Sequence, residues 1–256
     1  MVVGHTLWGH GPEGVIMFND WLADCSSYEP MLQYLDTEKY TYALMDLRGY
    51  GRSRKIPGKH NSMEAAQDAV DLATYLGWDR FHAVGFSMTG MVVERLAVHF
   101  LDRIKSIVAI GPVSAAGIKM GKERFDFFLK TLTDDDAVRE LATRITAGRL
   151  SPQWANVKLR LARETRDPAA VRDYLDMWTK EDFSAEAMGV DAPILVIAGQ
   201  YDQESFLEPD LRKTFLKFHP NAELVVIENS GHCPMQETPI RLQTIMEEYM
   251  SRYADK

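Results

Sequence analysis

The stretch Gly85-Phe86-Ser87-Met88-Thr89-Gly90 sets a serine among glycines, directly after a short apolar run and at the start of a helical pattern. A serine hydroxyl is a weak nucleophile until it is exposed, paired with a base and close to donors for a developing oxyanion. A sharp strand-to-helix turn supplies the exposure. Glycines beside the serine relieve crowding, and the N-terminus of the next helix aims backbone N–H groups at the reacting atom. Alone the string is weak evidence, since chance loops contain it. Two further residues stand in comparable places: Asp202, ending Gly199-Gln200-Tyr201-Asp202, and His232, ending Ser230-Gly231-His232, each follow an apolar run. For His232 taken singly, a structural loop histidine is the plainer reading. A serine, an acid and a histidine at the carboxyl ends of three strands are together the parts of acyl transfer through a serine.

Those parts need a frame. Continuous apolar runs over residues 15–18, 42–45, 81–84, 104–110, 194–197 and 224–227 suit strands of a parallel sheet buried on both faces. Between them, Ser62 is placed to cap a helix in which Ala66, Ala69, Val70, Ala73 and Leu76 recur at helical spacing, with Gly77 as its stop. Further helices are predicted over 88–100 and 240–253. The alternation predicts an α/β fold, a mostly parallel twisted sheet flanked by helices. A hairpin-like segment over 5–14 is expected to add a short antiparallel edge.

Residues 115–188 break the rhythm. They predict helices over 124–132, 135–147, 152–165 and 168–179 with no strand between them. Such an insertion before the strand that precedes Asp202 reads as a helical cap, or lid, over the edge of the sheet where open α/β folds bind ligands. A purely structural extension is the alternative. The expected organisation is a core of 1–114 with 189–256, and a cap of 115–188.

On these residues the chain resembles the α/β-hydrolase family, over nearly its whole length. The family's turn reads Gly-x-Ser-x-Gly; here Thr89 stands in the second glycine's place and Gly90 follows. The resemblance implies Ser87 as nucleophile, His232 as base and Asp202 as the acid that orients the imidazole. Asp191 precedes the strand and Asp210 falls within the next helix, so Asp202 takes the role. It further implies an oxyanion hole built from the backbone N–H groups of Met88 and Trp21. At the second of these the family usually reads His-Gly-x, whereas this chain reads Phe18-Asn19-Asp20-Trp21. A carboxylate facing an oxyanion would be harmful, so Asp20 is expected to turn away and cap its loop, with Trp21 lining the pocket. The stretch from Asp46 to Ser53 also looks like the family's and reads as scaffold, with Arg48 bonding loop carbonyls.

Composition narrows the partners. Of 256 residues, 46% are hydrophobic and 26% charged, which suits a globular domain able to bury a core without disulfides or metals. The net charge of −8 and the lack of a long Lys/Arg run argue against nucleic acid and anionic membranes. No apolar stretch approaches the ~20 residues of a membrane-spanning helix. The opening Met1-Val2-Val3-Gly4-His5 lacks an export pattern, so the cytoplasm is the expected compartment. Cys25 and Cys233 read as free thiols, with a redox-sensitive pair as the alternative. His10 and His82 read as structural or exposed, and no metal or cofactor is expected.

The remaining partner is a small-molecule substrate, with oligomeric state left open, a homodimer included. Phe125, Phe127, Phe128, Trp154, Met177 and Trp178 fill the predicted cap. Most should pack the helices, and a few should face the cleft and favour an apolar or aromatic substrate over a charged one. The expected activity is carboxylic-ester hydrolysis. Thioester, lactone or C–C bond hydrolysis would use the same parts. Cofactor-free oxygenase, lyase, perhydrolase and non-catalytic receptor are the alternatives on this scaffold. Dehalogenases and epoxide hydrolases place Asp where this chain has Ser87.

Overall fold

A computed structural model describes residues 2–254. The apolar runs form β1 (His5–Gly9), β2 (Glu13–Phe18), β3 (Tyr40–Met45), β4 (Phe81–Phe86), β5 (Ile104–Ile110), β6 (Ile194–Gly199) and β7 (Glu223–Ile227). They make one sheet in the order β1-β3-β2-β4-β5-β6-β7, parallel throughout except for β1 against β3. β2, β4 and β6 are buried at every position, as strands covered by helices on both faces must be.

The opening segment differs from the hairpin expected over 5–14. β1 pairs with β3, from His5 opposite Met45 to Gly9 opposite Thr41, and not with β2. The reason is burial. Val15, Ile16 and Met17 of β2 are wholly enclosed and require a strand on each side, which β3 and β4 supply. β1, with Leu7 and Trp8 partly in solvent, is left for the edge.

Seven helices of nine or more residues occur among the described residues. They are α1 (Ser62–Tyr75), α2 (Gly90–His99), α3 (Lys122–Lys130), α4 (Asp135–Ile145), α5 (Pro152–Glu164), α6 (Pro168–Lys180) and α7 (Pro239–Ser251). The helix expected to start at 88 instead begins with a separate 3-10 turn, Ser87–Thr89, before α2. Asn61, not Ser62, caps α1 by accepting the Glu64 N–H at 2.8 Å, while the Ser62 hydroxyl turns to Glu181. α3 to α6 follow one another between β5 and β6. Asp134 caps α4, and Asp167 with Pro168 starts α6. α4 and α5 share a small apolar cluster of Val138, Leu159 and Ala162, apart from the main core. No helix among the described residues is long and apolar enough to cross a membrane.

At the foot of β4, the strand that leads into Ser87, His82 is fully buried. Its Nδ1 lies 2.7 Å from Ser106 Oγ and its Nε2 3.4 Å from the Glu13 carboxylate, which Lys105 also meets at 2.6 Å. His10, by contrast, is exposed beside Glu38. Burial pushes His82 down from 6.5 to about 4, against the pull of Glu13. Between those values the unfolded chain binds a proton that the folded one refuses. The resulting stability is complete above pH 6.5 and is lost as pH falls toward 4. In urea titrations across that window, His82→Asn is expected to flatten the acid-side loss by about 2–3 kcal/mol. An unchanged slope would show that His82 does not carry it.

Candidate active site

Ser87 sits where β4 breaks into the 3-10 turn, with φ at +56°, a left-handed conformation that a side chain adopts only under constraint. Thr89 supplies part of that constraint. Its Oγ1 accepts the Phe86 N–H at 2.8 Å, and its own proton lies between Phe86 O at 2.8 Å and Asn19 O at 3.3 Å. The threonine in the family's glycine position therefore caps the turn and ties it to the loop after β2. The close approach falls one residue later. A Cβ on Gly90 would stand 2.5 Å from Pro112 Cβ and 2.6 Å from Val113 O, so only glycine fits there.

The three residues singled out at strand ends come together. His232 Nδ1 lies 2.8 Å from Asp202 Oδ2, and His232 Nε2 lies 2.9 Å from Ser87 Oγ. A carboxylate only accepts, so Nδ1 carries the proton and Nε2 is left to accept from the serine. Asp202 Oδ1 also accepts the Gln203 N–H at 2.6 Å, and the backbone N–H of His232 donates to Ile145 O at 2.9 Å. The imidazole packs beside Phe206 and Phe86, with ring centroids 4.6 and 5.1 Å away. Gly111, after β5, is a position that sequence reasoning missed. A Cβ there would stand 3.2 Å from both Asp202 Oδ2 and His232 Nδ1. Asp191 and Asp210 lie elsewhere, holding Asn221 and Lys213.

The loop after β2 explains the Asn19-Asp20 pair. Asn19 Oδ1 accepts the Leu47 N–H at 2.9 Å, and its Nδ2 donates to Asp20 O and Ala23 O. Asp20 Oδ1 accepts the N–H groups of Leu22 and Ala23 at 2.6 and 2.7 Å, so the carboxylate folds back and caps its own turn. Its other oxygen lies 3.5 Å from Nζ of Lys158, a fully buried lysine on α5. Burial is the largest single influence and works against the Lys158 charge. The Asp20 carboxylate and the Cys233 sulfur together raise its pKa above the ordinary lysine value and keep the ammonium protonated. Trp21 follows, its indole donating to Val171 O at 3.0 Å and its carbonyl accepting from Tyr50 Oη at 3.0 Å. Among the described residues, the backbone N–H groups of Trp21 and Met88 donate to no protein acceptor.

A cleft joins these groups and is lined by Asp20, Trp21, Ser87, Met88 and His232 with an apolar wall. Of the aromatic residues expected in the cap, Phe128 and Trp178 reach it, edge-to-face with Trp21 at 5.4 and 6.2 Å. Phe125 lies instead under Arg172 and Lys180, Phe127 under Arg144, and Trp154 bonds Gln236. Sequence reasoning did not find Ile118, Arg124, Leu141, Gln203 or Phe206 on the wall. Helical period marks a buried face, but only the packed fold says which part of it meets a cleft. Arg48 holds Pro57 O at 2.9 Å and grips Asp68 with two bonds, a scaffold arrangement. Cys25 and Cys233 are free and buried, and burial pushes both thiols up, which makes them poor nucleophiles. Among the described residues no group of His, Cys, Asp and Glu could hold a metal ion.

Two substitutions test this frame. Thr89→Val keeps the shape but strands the buried Phe86 N–H, and should cost about 1–3 kcal/mol in urea unfolding. Lys158→Met leaves Asp20 without its counter-charge and should cost about 3–5 kcal/mol, with part recovered in Lys158→Met/Asp20→Asn. Additive losses in that double-mutant cycle would contradict the coupling.

The pattern of the alpha/beta hydrolase family matches residues 6–242. The chain is similar to a pimeloyl-[acyl-carrier protein] methyl ester esterase of Nitrosomonas europaea, 25% identical over 90% of this chain and 92% of the relative. It is also similar to a 2-hydroxy-6-oxononadienedioate/2-hydroxy-6-oxononatrienedioate hydrolase of a Pseudomonas species, 23% identical over 95% and 90%. Among solved structures, a hydrolase from Oleispira antarctica superposes with a TM-score of 0.84 at 16% identity, covering 96% of this chain and 94% of that one. With a family match across most of its length and the fold those neighbours share, the chain belongs to the alpha/beta hydrolase family.

Proposed function

We propose that this protein is a serine hydrolase acting on a small carboxylic ester with an apolar or aromatic body. The observation that carries the reading is the unbroken chain from Asp202 through His232 to Ser87, at 2.8 and 2.9 Å, opening on an apolar cleft. His232 Nε2 takes the Ser87 proton as Oγ attacks the ester carbonyl, and Asp202 steadies the imidazolium that forms. The unengaged N–H groups of Trp21 and Met88 hold the oxyanion. His232 returns the proton to the leaving alcohol, which leaves an acyl-enzyme on Ser87. It then activates the water that frees the acid.

In this reading residues 115–188 form a cap over a core of 1–114 and 189–256, and Phe128 and Trp178 are its contribution to the substrate wall. The similarity to an enzyme named as a methyl ester esterase supports ester chemistry. Two buried free thiols suit a reducing, cytoplasmic setting.

The test is hydrolysis of p-nitrophenyl acyl esters of graded length, with pre-steady-state mixing to detect an acyl-enzyme burst. Ser87→Ala and His232→Ala should each lower kcat by at least about 10³-fold, and Asp202→Asn by about 10²–10⁴-fold, with unfolding midpoints near that of the wild type. Turnover by Ser87→Ala at the wild-type rate would overturn the mechanism.

A further inference from the structure

Arg124, in the first turn of α3, lines the cleft with Ser87 and His232. Its half-buried guanidinium donates to Gln203 Oε1 at 3.2 Å, a neutral acceptor. Among the described residues no carboxylate stands within ion-pair distance of it, and the exposed Glu204 acts on it only from farther off. Burial works against its charge. Several cations of the same helical segment meet a carboxylate: Arg163 meets Asp135, Arg139 meets Asp136, Arg144 meets Glu140 and Lys158 meets Asp20. The buried Arg166 is held instead by the carbonyls of Ala162 and Trp21.

The acids near the cleft are already committed. Asp20 serves the Leu22 and Ala23 N–H groups and Lys158, and Asp202 serves His232 and Gln203. Arg124 is thus a permanent cation with no carboxylate at contact distance, set beside the apolar wall of Trp21, Ile118, Phe128, Leu141 and Trp178. Partial desolvation of an unpaired guanidinium is costly unless a ligand supplies the anion.

We propose that Arg124 is a specificity-determining residue that binds a carboxylate on the substrate, so that the cleft takes esters with an apolar middle and an anionic end. The proposal rests on the serine-hydrolase reading of the same cleft and refines its apolar substrate by one charge. A guanidinium meets a carboxylate through two parallel N–H bonds, which fixes orientation as well as charge. Gln203 holds that guanidinium and directly follows Asp202, so the anchor is tied to the loop that orients His232. The net charge of −8 gives anions no long-range pull toward the molecule, so discrimination falls on the contact itself.

Two matched ester pairs followed in a pH-stat test it. Monomethyl adipate against methyl heptanoate places the carboxylate on the acyl side, and 4-acetoxybenzoate against phenyl acetate places it on the leaving group. On one of the pairs the wild type should favour the anionic ester by about 10–100-fold in kcat/KM. Arg124→Leu should lower that ratio by a similar factor, mainly through KM, and Arg124→Lys should keep part of it. A wild-type ratio near one on both pairs, or a ratio that Arg124→Leu does not move, overturns the anchor. Hydrolysis of the neutral esters would in that case leave the hydrolase reading standing. Failure to hydrolyse any of the four esters overturns both.

Discussion

Everything at this site depends on holding Ser87 in a left-handed turn at a crowded junction. The conformation is unfavourable for a residue with a side chain, by about 1–3 kcal/mol, and survives only where the surroundings over-determine it. Here β4 and α2 fix the chain on either side, Thr89 caps the turn from within, and Gly90 lets the Pro112-Val113 segment pass at contact distance. Val113 N–H in turn donates to Ser87 O at 2.9 Å, so the segment after β5 locks the serine from behind. The reward for that strain is a hydroxyl lifted clear of the strand, within reach of an imidazole carried by a different loop.

The same logic governs the neighbouring loops. Parallel strands deliver their carboxyl ends to one edge of the sheet, so residues far apart in sequence meet there without long connections. The order of the sheet sets β4, β5 and β6 side by side, and the loops they lead into hold Ser87, Gly111 and Asp202. The missing side chain at Gly111 leaves room for the Asp202–His232 contact. The loop after β2 departs from the family's usual residues and reaches a comparable shape by other bonds. Asn19 pins it to Leu47, Asp20 caps it, and Lys158 reaches down from α5 to balance the buried charge.

Much of this was legible in the residues. Apolar runs mark strands, and the run over 104–110 coincides with β5. The run over 224–227 differs from the buried strand expected, because β7 lies at the sheet's edge with Val226 in solvent. The four long helices of residues 115–188 were readable from their apolar spacing and the lack of any strand pattern between them. That the Asp20 carboxylate would cap its own loop followed from electrostatics. What was not legible depends on packing at a distance. β1 joins β3 because β2 is claimed on both sides, a decision made by the whole sheet. Ser62 and Asn61 are both good caps, and Ser62 was drawn away by Glu181. Which aromatic residues meet the cleft, and that Arg124 meets it at all, depends on how α3 and α6 are rotated against the core.

The central claim is that Ser87 is an activated nucleophile, and covalent capture asks that directly. Wild-type protein treated with a serine-reactive fluorophosphonate, followed by intact mass and peptide mapping, should gain one adduct, on Ser87. Ser87→Ala, treated alongside, should gain none. A folded wild-type protein that stays unmodified, or an adduct that persists in Ser87→Ala, would contradict it.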